Sequence, residues 1–197
     1  IKQLVQVERN PRTWVAGSDM SHLDTISNAW LLVEEDKIAD FGEMKDLDTE
    51  KIYAGGDVVK EIDATGRLVM PSYCDSHTHL VYAGSREVEY IAKIRGLSYE
   101  EIAKRGGGIL NSAERIRNAS EDELYDAAYQ RIQEIAGYGT GAVEIKSGYG
   151  LDTESELKML RVIRRLKEDT PLLIKSTFLG AHAVPAEYRG RQTEYVD

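Results

Sequence analysis

The densest chemistry in this chain lies in five consecutive residues, Asp75-Ser76-His77-Thr78-His79. Along an extended backbone, side chains alternate between faces with a period of two. His77 and His79 therefore turn to the same side if the segment stays extended. Two imidazoles on one face can share a divalent metal ion. They can also be two unrelated polar side chains at a strand end. The apolar run over residues 68–73 and the neighbouring Asp75 favour the metal reading. Two ligands do not complete a catalytic site, since zinc in such sites usually takes about three protein ligands and keeps one position open.

The chain has 4 histidines. His22 stands among polar residues and reads as solvated. His182 follows Thr177-Phe178-Leu179-Gly180-Ala181, at the end of another apolar stretch. Metal ligand, proton carrier, substrate hydrogen-bond partner and structural histidine all remain open for it. Two glycine clusters come next, Gly106-Gly107-Gly108 and Ser147-Gly148-Tyr149-Gly150. Neither ends in the Gly-Lys-Ser/Thr of a phosphate loop. Tyr149, held between two glycines, is a candidate for a substrate-facing ring. Arg86 offers a planar fork that suits a carboxylate, or is simply a solvated surface cation.

The elements that must position these residues change character at Pro71. Before it the pattern is short strands and turns. Residues 29–33 read as a strand, residues 34–36 as its turn and residues 37–41 as the returning strand, ending at Gly42. Residues 57–63 read as a further strand, turned at Thr65-Gly66 into residues 67–70. Residues 18–27 and 43–56 read as loops. After Pro71, strands alternate with amphipathic helices. Ser98-Tyr99-Glu100-Glu101 and Ser120-Glu121-Asp122-Glu123 are capping-box signatures. The second opens a helix with Leu124, Ala127, Ala128, Ile132 and Ile135 on one face, stopped by Gly137 and Gly139. Residues 142–145 form a short buried strand. Thr153-Glu154-Ser155-Glu156 opens a third helix, with Leu157, Leu160, Ile163 and Leu166 as its apolar face. Residues 172–179 form the next strand. This alternation is the rhythm of a parallel α/β sheet.

Composition excludes several classes. A net charge of −9 argues against a nucleic-acid surface. No stretch approaches the ~20 apolar residues that span a membrane. A single cysteine, Cys74, rules out an internal disulfide and fits a reducing cytosol. The chain begins at Ile1 rather than methionine, and no secretory signal is visible. A (β/α)8 barrel takes about 250 residues. Residues 71–197 supply about half of that, so the chain reads either as a small open sheet or as a truncated barrel.

The run from Asp75-Ser76-His77-Thr78-His79 through Leu80-Val81-Tyr82-Ala83-Gly84 resembles the first barrel strand of the amidohydrolases. Further on stand Ser98-Tyr99-Glu100-Glu101-Ile102, Gly106-Gly107-Gly108-Ile109-Leu110, Glu144-Ile145-Lys146-Ser147-Gly148-Tyr149-Gly150-Leu151 and Thr177-Phe178-Leu179-Gly180-Ala181-His182-Ala183-Val184-Pro185. With these the chain resembles the imidazolonepropionases in particular, from Val69 onward and weakly before it. The His-x-His pair gives only the superfamily; the tyrosine-glycine and Phe-Leu-Gly-Ala-His stretches carry the narrower likeness.

This resemblance implies a (β/α)8 TIM barrel with a small β-sandwich built from both chain ends. Residues 1–68 would be the sandwich unit and residues 69–197 the first half of the barrel, apparently truncated. It implies hydrolysis of 4-imidazolone-5-propanoate to N-formimidoyl-L-glutamate in cytoplasmic histidine degradation. One zinc or iron ion per subunit would serve, and a homodimer is possible. By motif match, His77 and His79 are metal ligands, and Arg86, Tyr99, Tyr149 and His182 contact substrate, with His182 also catalytic. The family's later histidine and aspartate ligands and its glutamate proton carrier would lie beyond Asp197. Two positions depart from the family pattern: Ser72, where glycine usually follows the proline, and Gly141, usually threonine. Another cyclic amidohydrolase or a deaminase is the alternative within the class. A non-catalytic binding or scaffold module is the alternative outside it for a fragment with an incomplete site.

Overall fold

Pro71 has no amide hydrogen to give to a ladder, and the molecule divides there. The computed structural model describes residues 1–54, 60–104 and 107–197, with two units, Ile1–Pro71 and Ser72–Asp197.

Among the described residues, the first unit contains two small sheets. Strand β1 (Gln3–Val5) pairs antiparallel with β2 (Thr25–Ser27) and parallel with β5 (Leu68–Val69). Strands β3 (Ala29–Glu34) and β4 (Lys37–Glu43) form the expected hairpin, with Ala29 opposite Glu43. Two stretches expected to be loops carry structure. A 3-10 turn (Gly17–Ser21) and β2 occupy the first, and helix α1 (Thr49–Tyr53) forms in the second. Local caps explain both. Ser21 Oγ donates to the Ser18 carbonyl at 2.7 Å, and Asp48 Oδ1 accepts from Lys51 N at 3.0 Å. Of the strand expected over residues 57–63, residues 57–59 lie outside the described residues, and residues 60–63 are not a strand.

The run over residues 68–73 was expected as one strand leading to the histidines. It is two pieces. Leu68–Val69 joins the first unit's sheet, and β6 (Tyr73–Thr78) begins afresh beyond the proline. The second unit continues through α2 (Glu87–Ile94), α3 (Tyr99–Lys104), α4 (Ile109–Asn118), α5 (Glu121–Gly137), β7 (Thr140–Lys146), α6 (Thr153–Asp169), β8 (Leu173–Thr177) and α7 (Gln192–Val196). Strands β6, β7 and β8 lie side by side in chain order, all parallel, as the alternation of elements requires.

Helix α5 opens on a reciprocal capping box between Ser120 and Glu123 and buries Leu124, Ala128 and Ile132 at four-residue spacing. These meet Val143 and Ile145 of β7, Ile174 of β8, and Met159, Ile163 and Leu166 of α6 in one apolar core. The face expected for α6 was partly wrong. Ile163 and Leu166 are buried, but Leu157 is 45% exposed and Met159 and Val162 take its place. Steps of three fall short of a 3.6-residue turn, so from Leu157 to Leu166 such a ladder slips about half-way round the helix. The opening residue also differs: Asp152 caps the helix by accepting from Ser155 N at 2.8 Å. From α6, Lys158 Nζ donates to the carbonyls of Ile116, Arg117 and Ala119 at 2.9, 3.1 and 2.8 Å. Those are end-of-helix carbonyls of α4, which have no partner within their own helix.

The two departures from the family pattern prove to be neighbours. A Cβ added at Gly141 would stand 2.1 Å from Ser72 Oγ and 2.6 Å from Ser72 Cβ. Rotating the hydroxyl relieves only the first contact. A serine at 72 therefore requires the small residue at 141. In the full-length protein, Gly141→Thr should destabilise by about 1–3 kcal/mol, the usual cost of overpacking. Ser72→Gly in the same chain should recover most of that loss. Thermal melts of the two single variants and the double variant test the coupling; simple additivity would show that the two positions do not sense each other.

Candidate active site

His77 is the next-to-last residue of β6, and His79 lies one residue past its end. Asp75 shapes this turn, its Oδ1 accepting from His77 N at 3.2 Å, while Thr78 Oγ1 donates to the Glu144 carbonyl at 2.7 Å. Beyond His79 the chain is anchored by Arg131 of α5. Its Nη1 donates to the carbonyls of Leu80 and Tyr82 at 2.8 and 3.1 Å, and its guanidinium lies 3.4 Å from the centre of the Tyr82 ring. The two imidazoles are brought to 5.7 Å between ring centroids, edge to face.

The loop after β7 carries Tyr149. Its ring stacks on His79, 4.4 Å away and 8° from parallel. The loop is built around a buried carboxylate. Glu156, in the first turn of α6, accepts from Gly148 N and Gly150 N, each at 2.7 Å, and from Leu151 N at 3.2 Å. Arg117 of α4 takes the opposite groups, donating to the carbonyls of Gly150 and Leu151, each at 3.2 Å, and pairing with Asp152 at 2.8 Å. Ser147 ties this loop to the next strand. Its N donates to the Thr177 carbonyl and its Oγ accepts from Leu179 N, both at 3.0 Å.

That second strand end delivers His182, exposed, with its ring 5.2 Å from His79 and 5.7 Å from Tyr149. Gly148 makes the approach possible. It sits at φ +111°, and a Cβ there would meet the Leu179 carbonyl oxygen at 2.8 Å and His182 Cβ at 2.9 Å. His79 is partly buried in this cluster. Desolvation lowers its pKa below the ordinary histidine range, helped by the charges that His182 and His77 can carry, against a hydrogen bond to the Ser147 backbone. The neutral imidazole is thus favoured, which is the form that binds metal.

Arg86 stands at the N-terminus of α2 with its Nε donating to Glu89 Oε2 at 2.8 Å and its Nη2 to the same oxygen. This bond raises the guanidinium's pKa, and Tyr99 and Tyr149 also act on its charge. The other Glu89 oxygen accepts from Gly108 N at 2.9 Å, and Tyr99 is exposed beside that glycine. Part of the expected carboxylate fork is therefore held by the protein itself. Gly106 of the triple-glycine run lies outside the described residues. On the sheet, Glu144 Oε1 accepts from Lys146 Nζ and Thr177 Oγ1, each at 2.5 Å, and these bonds lower its pKa.

His77, His79, Tyr149 and His182 thus form one cluster at the C-terminal ends of three parallel strands. Arg86 and Tyr99 lie together near Tyr149. His22 belongs to the first unit, highly exposed and 3.3 Å from Asp24, as expected of a solvated histidine. The cluster fits a metal ion in part. His79 Nδ1 is buried with no hydrogen-bond partner among the described residues, and a lone imidazole nitrogen beside a second imidazole suits a divalent ion. Among the described residues, no three His, Cys, Asp or Glu groups are arranged to hold one, so the pair is a partial donor set. Sequence reasoning missed Glu156, Arg117, Arg131, Ser147 and Glu89. Glu156 carried a misleading signal, since three residues after Thr153 it reads as half of a capping box.

No protein-family model matches the chain. Among curated proteins, it is 56% identical over 197 residues to an imidazolonepropionase of Christiangramia forsetii and 52% identical over 197 residues to one of Flavobacterium johnsoniae. Both alignments cover 100% of this chain and 46% of the relative. A third, from Clostridium tetani, is 44% identical over 181 residues, 92% of this chain and 42% of the relative. The chain spans about half the length of the curated relatives it matches.

Gly148→Ala in the full-length protein should displace the strand end that carries His182, because the added methyl faces fixed backbone and the φ is left-handed. The expected loss of stability is about 1–3 kcal/mol. The His182 imidazole resonances in NMR spectra should shift more than in a surface control of equal stability. Wild-type melting and resonances would show that the close approach seen here is not needed.

Proposed function

This chain is related along its full length to the N-terminal part of the imidazolonepropionases, and from that premise we propose that the full-length protein hydrolyses 4-imidazolone-5-propanoate to N-formimidoyl-L-glutamate. The observation that carries the reading is the convergence of His77, Tyr149 and His182 on His79, each ring within 5.7 Å of the His79 ring. Strand ends of a parallel α/β sheet are where such folds build active sites.

His77 and His79 would hold a zinc or iron ion, since imidazole suits both. When bound, the ion supplies Lewis acidity and an activated water at neutral pH. The remaining steps fall to side chains. A guanidinium has five N–H donors; two of Arg86's go to Glu89, and the others would meet the substrate's propionate. Tyr99 and Tyr149 would add hydroxyl contacts and fix the ring's place, which converts binding into orientation. His182 would donate a proton-bearing nitrogen toward the ring carbonyl as negative charge grows on its oxygen. In this reading the three-stranded parallel sheet is the start of a (β/α)8 barrel, and the two small sheets of the first unit are part of a β-sandwich. The setting would be cytoplasmic, and a homodimer is the common default for such an oligomer. Among the described residues no helix is long and apolar enough to cross a membrane.

The test is turnover by the full-length protein with zinc or iron(II), followed as loss of the imidazolone ultraviolet band. No turnover with either metal would remove the assignment. Replacing either His77 or His79 with Ala should strip metal and activity together, with elemental analysis as the readout. Arg86→Lys should lower kcat/KM by about 10- to 100-fold, because an ammonium cannot reproduce the planar fork. Unchanged kinetics would make Arg86 a surface charge.

A further inference from the structure

Glu156 is 3% exposed and lies outside the cluster of rings. Nothing in the reaction scheme uses it. Its carboxylate is nevertheless the acceptor for three backbone N–H groups of a five-residue loop, at 2.7, 2.7 and 3.2 Å. The N–H groups of Gly148 and Gly150 flank Tyr149 on either side. Left-handed backbone at Gly148 (φ +111°) and Leu151 (φ +58°) turns these donors inward, making the kind of concave nest that binds an anion. The N-terminal turn of α6 adds its positive dipole end at the same place. Arg117 fixes the loop's carbonyls from the other side. A loop held by both its donors and its acceptors has one conformation, and the ring it carries is stacked within 8° of the His79 plane.

We propose that Glu156 is a positioning residue for the hydrolase. By gathering the amides of Gly148, Gly150 and Leu151, it sets where the Tyr149 ring stands against His79 and His182. The inference rests on the function proposed above for the catalytic consequence and on the hydrogen bonds alone for the loop. Glutamine at 156 keeps the shape and one good acceptor but turns an NH2 group toward backbone donors. Aspartate keeps the charge but is one methylene shorter, so it cannot serve all three amides at once. Both variants should let the loop relax without deleting any group that touches substrate.

The experiment uses the full-length protein and compares wild type, Glu156→Gln, Glu156→Asp, Tyr149→Ala and the Glu156→Gln/Tyr149→Ala pair, well below their melting temperatures. Hydrogen exchange over residues 147–151 should quicken at least about tenfold in both Glu156 variants, since each released amide loses its acceptor. Because misplacement by about 1 Å can cost about 100-fold, kcat/KM should fall about 10- to 100-fold with metal content unchanged. In the Tyr149→Ala background the same Glu156 change should cost less than about threefold, because there is no ring left to place. Wild-type exchange in the variants overturns the proposal, whichever of the two folds better. So does faster exchange with wild-type kcat and KM, or a full-sized loss in the Tyr149→Ala background. A wild-type protein that turns over no imidazolone defeats the proposed function instead, and the exchange result then decides by itself whether Glu156 governs the loop.

Discussion

Backbone amide hydrogens turned away from water must find an acceptor, or the fold bears the cost of leaving them bare. In the loop after β7 three of them converge on the Glu156 carboxylate. A hydrogen bond to a charged group contributes about 1.5–3 kcal/mol. That is enough to offset the left-handed backbone of Leu151, which costs about 1–2 kcal/mol for a residue with a side chain. Burying a carboxylate is tolerated only when its lone pairs are satisfied, and here the loop satisfies them. The arrangement is mutual: the loop has its shape because the carboxylate is there, and the carboxylate can be buried because the loop has that shape.

Much of the second unit hangs on this junction. Ser147, at the loop's entry, holds the end of β8 through both its amide and its hydroxyl. The strand end that carries His182 is thus registered against the strand end that carries Tyr149. Arg117 joins α4 to the same loop and reaches Glu187 beyond His182 at 2.9 Å. Arg131 does similar work on the first strand, tying α5 to the chain just past His79. Burial pulls the pKa of Arg131 downward, and two carbonyls and an aromatic face compensate the charge. Three strand ends are therefore each pinned by a side chain from a neighbouring element. Distances between their functional rings are set by the scaffold rather than by the rings themselves.

Electrostatics at His79 follow from burial first and crowding second. Desolvation lowers the pKa of this partly buried imidazole, and the charges that the neighbouring His182 and His77 can carry add to the effect. Glu144 lies close enough for His77 to act on its charge, but it is committed to Lys146 and Thr177. Arg86 is likewise committed in part to Glu89. The site is thus preorganised on both its basic and its acidic groups before any ligand arrives.

The sequence by itself determined the hairpin over residues 29–43, the caps at Ser98 and Ser120, the parallel alternation after Pro71 and the residues of the ring cluster. Each of these rests on near-neighbour chemistry: alternation with period two, an acceptor three residues from its donor, a histidine at the end of an apolar run. The narrower family likeness was also legible, because Glu-Ile-Lys-Ser-Gly-Tyr-Gly is a contiguous string. Only the tertiary structure decided the rest. That Leu68–Val69 belongs with β1 depends on a partner more than sixty residues away in the chain. That Ser72 abuts Gly141 depends on the chain entering β6 beside the start of β7. Glu156 looked like a helix-capping residue because Thr153 precedes it by three. Asp152 took the cap, and a loop folded back over the helix start claimed the freed carboxylate. Such a contact joins groups whose meeting depends on the path of the chain between them, and no local rule of spacing encodes that path.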